Sequence, residues 1–230
     1  MIPRQLAFDL GATENFSRAG FFPSPANVAA VAVLADGSLW PQHRLLLIGP
    51  AGAGKTHLAH IWADESGAEI LAASALPDLD PTTLPARLVV EDADTVAGLP
   101  THEEALFHTL NHQMNSGGQI LLTARQAPRD WELRLPDLLS RMQSIAIARL
   151  EAPDDALLSA VLVKLFADRQ IAVPPNLIPY LAARMDRSIA AARHLVAALD
   201  AHALALGRPV TRALAAELLA PDSLDRAEPE

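Results

Sequence analysis

The chain has 230 residues, with 27 acidic against 18 basic side chains for a formal charge of −9, half of its residues hydrophobic, 4% aromatic and no cysteine. That length and apolar content suffice for one domain, or two small ones, around an aliphatic core. The missing cysteine excludes a disulfide scaffold, Cys-ligated zinc and a thiol nucleophile, and the acidic balance argues against broad binding to nucleic acid, though not against a local basic patch. No apolar run approaches the ~18 residues of a membrane span, and the first five residues, Met1 to Gln5, lack a signal-peptide stretch. A cytoplasmic protein is therefore expected.

In chain order, residues 1–13 show little periodicity and read as a tail, apart from Gln5-Leu6-Ala7-Phe8-Asp9-Leu10. Its alternation of Leu6, Phe8 and Leu10 fits either a packing strand or an extended peptide that fills another protein's apolar pocket. From residue 44 to 149, short apolar runs alternate with helical stretches. The runs are 44–48, 69–72, 87–91, 119–123 and 144–147. Continuously apolar strands between helices predict a five-stranded parallel sheet covered on both faces.

The first run leads into Gly49-Pro50-Ala51-Gly52-Ala53-Gly54-Lys55-Thr56, which fits G-x-x-x-x-G-K-[ST], and His57 follows in the helix this loop opens. The glycines let the backbone wrap phosphates, and the N–H groups at a helix start attract the anion. Lys55 reaches the outer phosphates and the Thr56 hydroxyl can ligate Mg²⁺. Only one other lysine, Lys164, exists in the chain, so a chance lysine here is a poor alternative. The third run ends in Glu91-Asp92, 36 residues after Lys55. Carboxylates at that strand end can hold Mg²⁺ and polarise a water for attack on a γ-phosphate. Between the third and fourth runs, His108 and His112 share a helix face at zinc-holding spacing, but with no obvious third ligand.

Beyond Pro153 the pattern becomes helical over 154–170, 175–185, 188–206 and 211–219, punctuated by Pro174-Pro175 and Gly207-Arg208-Pro209. The expected organisation is a tail over 1–13, a nucleotide-binding α/β unit over 14–150, a small helical unit over 151–220 and a disordered acidic tail over 221–230.

With these motifs the chain resembles the AAA+ ATPases and, within them, the DnaA/Hda family of replication proteins. Glu14-Asn15-Phe16 and Pro25-Ala26-Asn27 look like the segment that borders the adenine in that family. Leu122-Thr123-Ala124 resembles the first sensor strand, with Thr123 as the sensor. Leu138-Leu139-Ser140-Arg141-Met142 resembles the segment that carries a trans-acting arginine finger, which assigns that role to Arg141. Glu151-Ala152-Pro153-Asp154 is similar to the start of the helical lid, and Ser188 to Leu195 to the lid helix whose arginine, here Arg193, contacts nucleotide. Two departures stand out. The acidic pair is Glu-Asp rather than the commoner Asp-Glu, and Arg125 follows the sensor strand where an acidic or Asn-like group is usual.

What the resemblance implies is an Hda-like negative regulator of replication initiation. It would bind ADP or ATP with Mg²⁺ through residues 49–57 and Arg193, with Thr56, Glu91 and Asp92 at the metal. It would dock on the DNA-loaded β sliding clamp through Gln5, Leu6, Phe8, Asp9 and Leu10, and present Arg141 to ATP held by DnaA. Sequence-specific DNA binding and a membrane association are not expected, and a homodimer is left open. The alternatives are a helicase-loader-type AAA+ ATPase and a small-molecule P-loop kinase. The kinase reading leaves the helical lid and the 5–10 peptide without a purpose.

Overall fold

The computed structural model describes residue 18 and residues 21–219; the 5–10 peptide, Glu14 to Phe16 and the acidic tail lie outside them. Five strands, β1 (Arg44–Ile48), β2 (Glu69–Ala72), β3 (Arg87–Glu91), β4 (Gln119–Ala124) and β5 (Ala146–Arg149), form one parallel sheet in the order β2-β3-β4-β1-β5. The helices of this unit are α1 (Val28–Ala35), α2 (Lys55–Ser66), α3 (Pro100–Ser116) and α4 (Pro136–Gln143). The five-stranded parallel α/β architecture is as expected. The last strand lies two residues later than predicted, because Ser144 caps α4 and Ile145 turns off it, their N–H groups donating to the Arg141 and Met142 carbonyls. Ile145 is apolar for a different reason than strand pairing: it packs in the core beside Met142.

The two faces of the sheet follow from strand periodicity. Leu46, Ile48, Leu88, Val90, Ile120 and Leu122 point to one side, against α3 and α4 through Leu106, Leu110 and Leu138. Leu45, Leu47, Val89 and Leu121 point to the other, against α1 and α2 through Leu34, Leu58, Ile61 and Trp62. Trp40 and Trp62 close this second core with ring centroids 5.0 Å apart, and the Trp40 indole N–H donates to the Val33 carbonyl at 2.8 Å. Every β1 residue is buried, which explains why the strand reads as an unbroken apolar run headed by a single arginine.

Past β5 come α5 (Asp155–Asp168), α6 (Leu177–Ala182), α7 (Ile189–Leu206) and α8 (Arg212–Leu218). They enclose a third core that includes Leu158, Phe166, Leu181, Val196 and Leu199. Asp154, Ser188 and Thr211 cap α5, α7 and α8 through their side-chain oxygens. By length and composition α7 is apolar enough to cross a membrane, the one such helix among the described residues. Alanine raises its hydropathy without forming an uninterrupted apolar run, since Arg193 and Asp200 lie inside it. In the structure its Ala192, Val196, Leu199 and Ala203 stripe packs into the helical core.

Candidate functional site: a phosphate loop and an arginine at opposite ends of the sheet

Parallel strands deliver their loops to one edge, so the segments after β1, β3 and β4 converge at the C-terminal end of the sheet. The segment after β1 is the glycine-rich loop. Gly52 (φ 71°) and Gly54 (φ 101°) occupy backbone conformations that side chains resist, and Gly54 sits at the N-cap of α2. The bend places the N-terminus of α2, with its unsatisfied N–H groups, over the end of β1. Lys55 is buried, and its ammonium donates to the Gly49 carbonyl at 2.8 Å and the Pro50 carbonyl at 3.1 Å. Burial pushes its pKa below the usual lysine value; Asp92, Asp94 and Glu91 oppose that shift and Arg125 adds to it. A cation held only by carbonyls under a helix N-terminus fits a polyphosphate, which both could then engage. Thr56 is exposed beside it, and buried His57 lies edge-on to Phe21 with ring centroids 5.4 Å apart.

The end of β3 carries the acidic groups. Glu91 Oε1 and Asp94 Oδ1 are buried without a hydrogen-bond partner. Asp92 is exposed in a left-handed conformation (φ 53°), and its N–H donates to the Thr123 hydroxyl at 3.0 Å. Thr123 is thus buried under the β3 end, tying β3 to β4, while Arg125 emerges beyond it with its N–H donating to Asp94 Oδ2 at 3.1 Å. Asp94 was not singled out in the sequence; its position two residues past the acidic pair, in a turn that brings it back to the site, was the available signal. Two orphaned carboxylate oxygens near a lysine ammonium suit a divalent cation. No three His, Asp or Glu side chains among the described residues cluster closely enough to cage one. His108 and His112 form no such cluster either.

The helical unit reaches this loop directly. The Ile189 N–H donates to the Gly52 carbonyl at 2.9 Å, and a Cβ on Gly52 would collide with Ser188. Arg193 follows one turn later on α7, half-buried. Pro25 to Asn27 sit where the sheet passes into the helical unit: the Ala26 carbonyl accepts from the Glu151 N–H at 3.0 Å, and buried Asn27 bonds the Phe22 carbonyl at 2.9 Å.

Arg141 is elsewhere. It occupies the last turn of α4, and helices in this unit run back toward the N-terminal edge of the sheet. Its guanidinium donates to Met114 Sδ at 2.9 Å and lies over the Phe107 ring, 5.3 Å from the centroid. The same sulfur accepts from Arg44, the first residue of β1, at 3.2 Å. The phosphate loop follows the last residue of β1, so about 13 Å of strand separates the two ends. The structure does not bring Arg141 to the chain's own phosphate loop; it places it at the opposite end of the sheet. The helix that carries it is fixed from α3. Buried Glu103 accepts the N–H groups of Arg134 and Leu135 just before α4, at 2.9 and 2.8 Å, and of Gly98 at 2.8 Å.

No protein-family model matches the chain. It is 28% identical over 216 residues to the chromosomal replication initiator protein DnaA of Zymomonas mobilis, and 28% identical over 222 residues to that of Thermomicrobium roseum. These matches take in 83% and 84% of this chain but 44% and 46% of the relatives, so the chain spans less than half of their length. Among solved structures, domain III of Thermotoga maritima DnaA superposes with a TM-score of 0.79 at 21% identity, covering 91% of this chain and 97% of that one. The AMPPCP-bound DnaA of Aquifex aeolicus gives 0.68 at 16% identity, over 82% of this chain and 66% of that one. A RuvB variant from Thermotoga maritima gives 0.63 at 17% identity, over 84% and 67%. The chain thus has the α/β P-loop fold of the AAA+ proteins, and its sequence is DnaA-like.

Proposed function

We propose that the chain binds an adenine nucleotide with Mg²⁺ and acts, in the manner of Hda, as a negative regulator of replication initiation. It docks on the DNA-loaded sliding clamp through Gln5, Leu6, Phe8, Asp9 and Leu10, and it inserts Arg141 at the ATP of a DnaA subunit. The observation that carries this reading is the position of Arg141, a strand-length away from the chain's own phosphate loop, which supports a role on a nucleotide held by another subunit. A planar, permanently charged guanidinium stabilises charge that develops on a transferring phosphoryl group.

In the chain's own site, Lys55 and the α2 N-terminus would hold the phosphates, and Thr56, Glu91 and Asp92 would hold the metal, with the partnerless Oδ1 of Asp94 as a further oxygen beside them. Asp92 is the exposed carboxylate that can orient a water. When bound, the metal supplies charge neutralisation on the phosphates. Arg193 closes the helical unit on the nucleotide.

A second reading is favoured by the sequence likeness to DnaA: the chain is the core of an initiator that assembles on itself through the same arginine. The two separate in one assay. DnaA loaded with labelled ATP is incubated with DNA-loaded clamp, with and without this chain. Clamp-dependent conversion to ADP supports the regulator. Nucleotide-dependent self-assembly without any effect on DnaA supports the initiator core.

A further inference from the structure

Arg44 is an anomaly in the sequence and in the fold. It heads an otherwise aliphatic strand, is 3% exposed, and its Nε has no hydrogen-bond partner. Among the described residues, no carboxylate lies within ion-pairing distance of Arg44 or of Arg141. Both guanidiniums instead donate to the one Met114 sulfur, at 3.2 and 2.9 Å, which puts their terminal nitrogens within about 6 Å of each other. A thioether is a weak, neutral acceptor and offsets neither charge. Burying an unpaired cation costs free energy, and a second cation beside it adds to that cost. Burial, and then the Arg141 charge, pull the Arg44 pKa below its usual value. Met114 itself is 38% exposed and Arg141 half-exposed, so the pair opens to the surface through its outer member.

We propose that Arg44 and Arg141 form one two-guanidinium anion site, Arg141 as the outer contact and Arg44 as the buried charge behind it, whose occupant is the terminal phosphate of a nucleoside triphosphate held by a neighbouring subunit. This rests on the trans role given to Arg141 above. Arg44 is a positioning residue: it touches no phosphate. It keeps Arg141 turned outward on Met114 by repulsion, and adds its field to the attraction felt by the incoming phosphate. An anion with several charges suits this site better than a single carboxylate, because two cations await it. Stability is sacrificed for that readiness, as happens at functional sites.

The test uses the full chain carrying Lys55→Ala, which silences the phosphate loop, with inorganic tripolyphosphate as probe and thermal unfolding as readout. Tripolyphosphate should raise Tm in a dose-dependent way. Arg44→Met and Arg141→Met should each abolish the rise, while Arg125→Met, at the phosphate-loop end of the sheet, should leave it intact. Without the anion, Arg44→Met should raise Tm relative to its parent, the opposite of what a structural arginine would give. In the DnaA hydrolysis assay, Arg44→Met in the otherwise native chain should lower stimulation about tenfold. A rise that survives Arg44→Met, or that is lost with Arg125→Met, overturns the two-arginine site. If Arg141→Ala abolishes DnaA hydrolysis while Arg44→Met leaves both that and the tripolyphosphate response intact, this inference fails and the finger reading stands. If the tripolyphosphate response requires both arginines but no form of the chain stimulates DnaA, the finger reading fails and the anion site stands.

Discussion

Glu103 holds the arginine-bearing helix through the N–H groups of Arg134 and Leu135 and closes the turn before its own helix through that of Gly98, so removing its carboxylate should be among the costliest single changes outside the apolar core. Glu103→Ala leaves the N–H groups of Gly98, Arg134 and Leu135 without their acceptor. An orphaned buried donor costs about 1–3 kcal/mol. Gly98 and Leu135 are only half-buried and Arg134 is exposed, so water recovers part of that and the total falls to about 3–5 kcal/mol. For a chain of this size that corresponds to a Tm lower by about 10 °C. Glu103→Gln, which keeps one oxygen but turns an amide N–H₂ toward other donors, should fall between. The assay is thermal and urea unfolding of the wild type, Glu103→Ala, Glu103→Gln and Glu104→Ala, the last being an exposed neighbour expected to change stability by less than about 0.5 kcal/mol. If Glu103→Ala shifts the midpoint no more than Glu104→Ala, the carboxylate does not tie α3 to α4, and the account of how Arg141 is held is wrong.

Four further outcomes follow, three from the phosphate loop and one from the 5–10 peptide. Gly52→Ala should lower stability by about 1–3 kcal/mol, because its positive φ and the Ser188 side chain both oppose a Cβ, and a midpoint equal to wild type in urea unfolding would show that the helical unit does not rest on the loop. Lys55→Ala should abolish the Tm rise given by ADP. In the nucleotide-free wild type, the depressed Lys55 pKa means that the unfolded chain binds more protons between the folded and the ordinary lysine value. Stability should therefore rise with alkaline pH in that window, by more than in Lys55→Met; identical pH profiles by thermal unfolding would contradict this. Replacing Gln5 and Leu6 by Ala should weaken clamp binding by about 2–4 kcal/mol in surface plasmon resonance and leave ADP affinity unchanged, and full clamp affinity would reduce that peptide to a packing segment.

Much of the fold was legible because burial on both faces makes parallel strands read as unbroken apolar runs, and because Gly, Pro and capping residues mark helix ends. The last strand was misplaced by two residues since Ile145 is apolar for the sake of the core under α4. Helix α1 went unread because VAAVAVLA has no polar face to give a helical period. The phosphate loop was legible as a contiguous motif that encodes its own geometry. Asp94, Glu103 and Arg44 were not, because each owes its role to a partner far along the chain: Asp94 to the Arg125 N–H, Glu103 to Arg134 and Leu135, Arg44 to Met114. A linear pattern cannot show that an isolated arginine at the head of a strand shares a sulfur with another nearly a hundred residues away.

The most direct test of the trans role is hydrolysis of DnaA-bound ATP in the presence of DNA-loaded clamp, comparing wild type with Arg141→Ala, Arg141→Lys and Arg134→Ala. Arg141→Ala should lose up to about 10³-fold of the stimulation while keeping its own ADP affinity. Arg141→Lys should also fail substantially, since an ammonium lacks the planar fork, and Arg134→Ala should behave as wild type. Unimpaired stimulation by Arg141→Ala would contradict the account, and equal loss in Arg134→Ala would replace the finger with a broad docking patch.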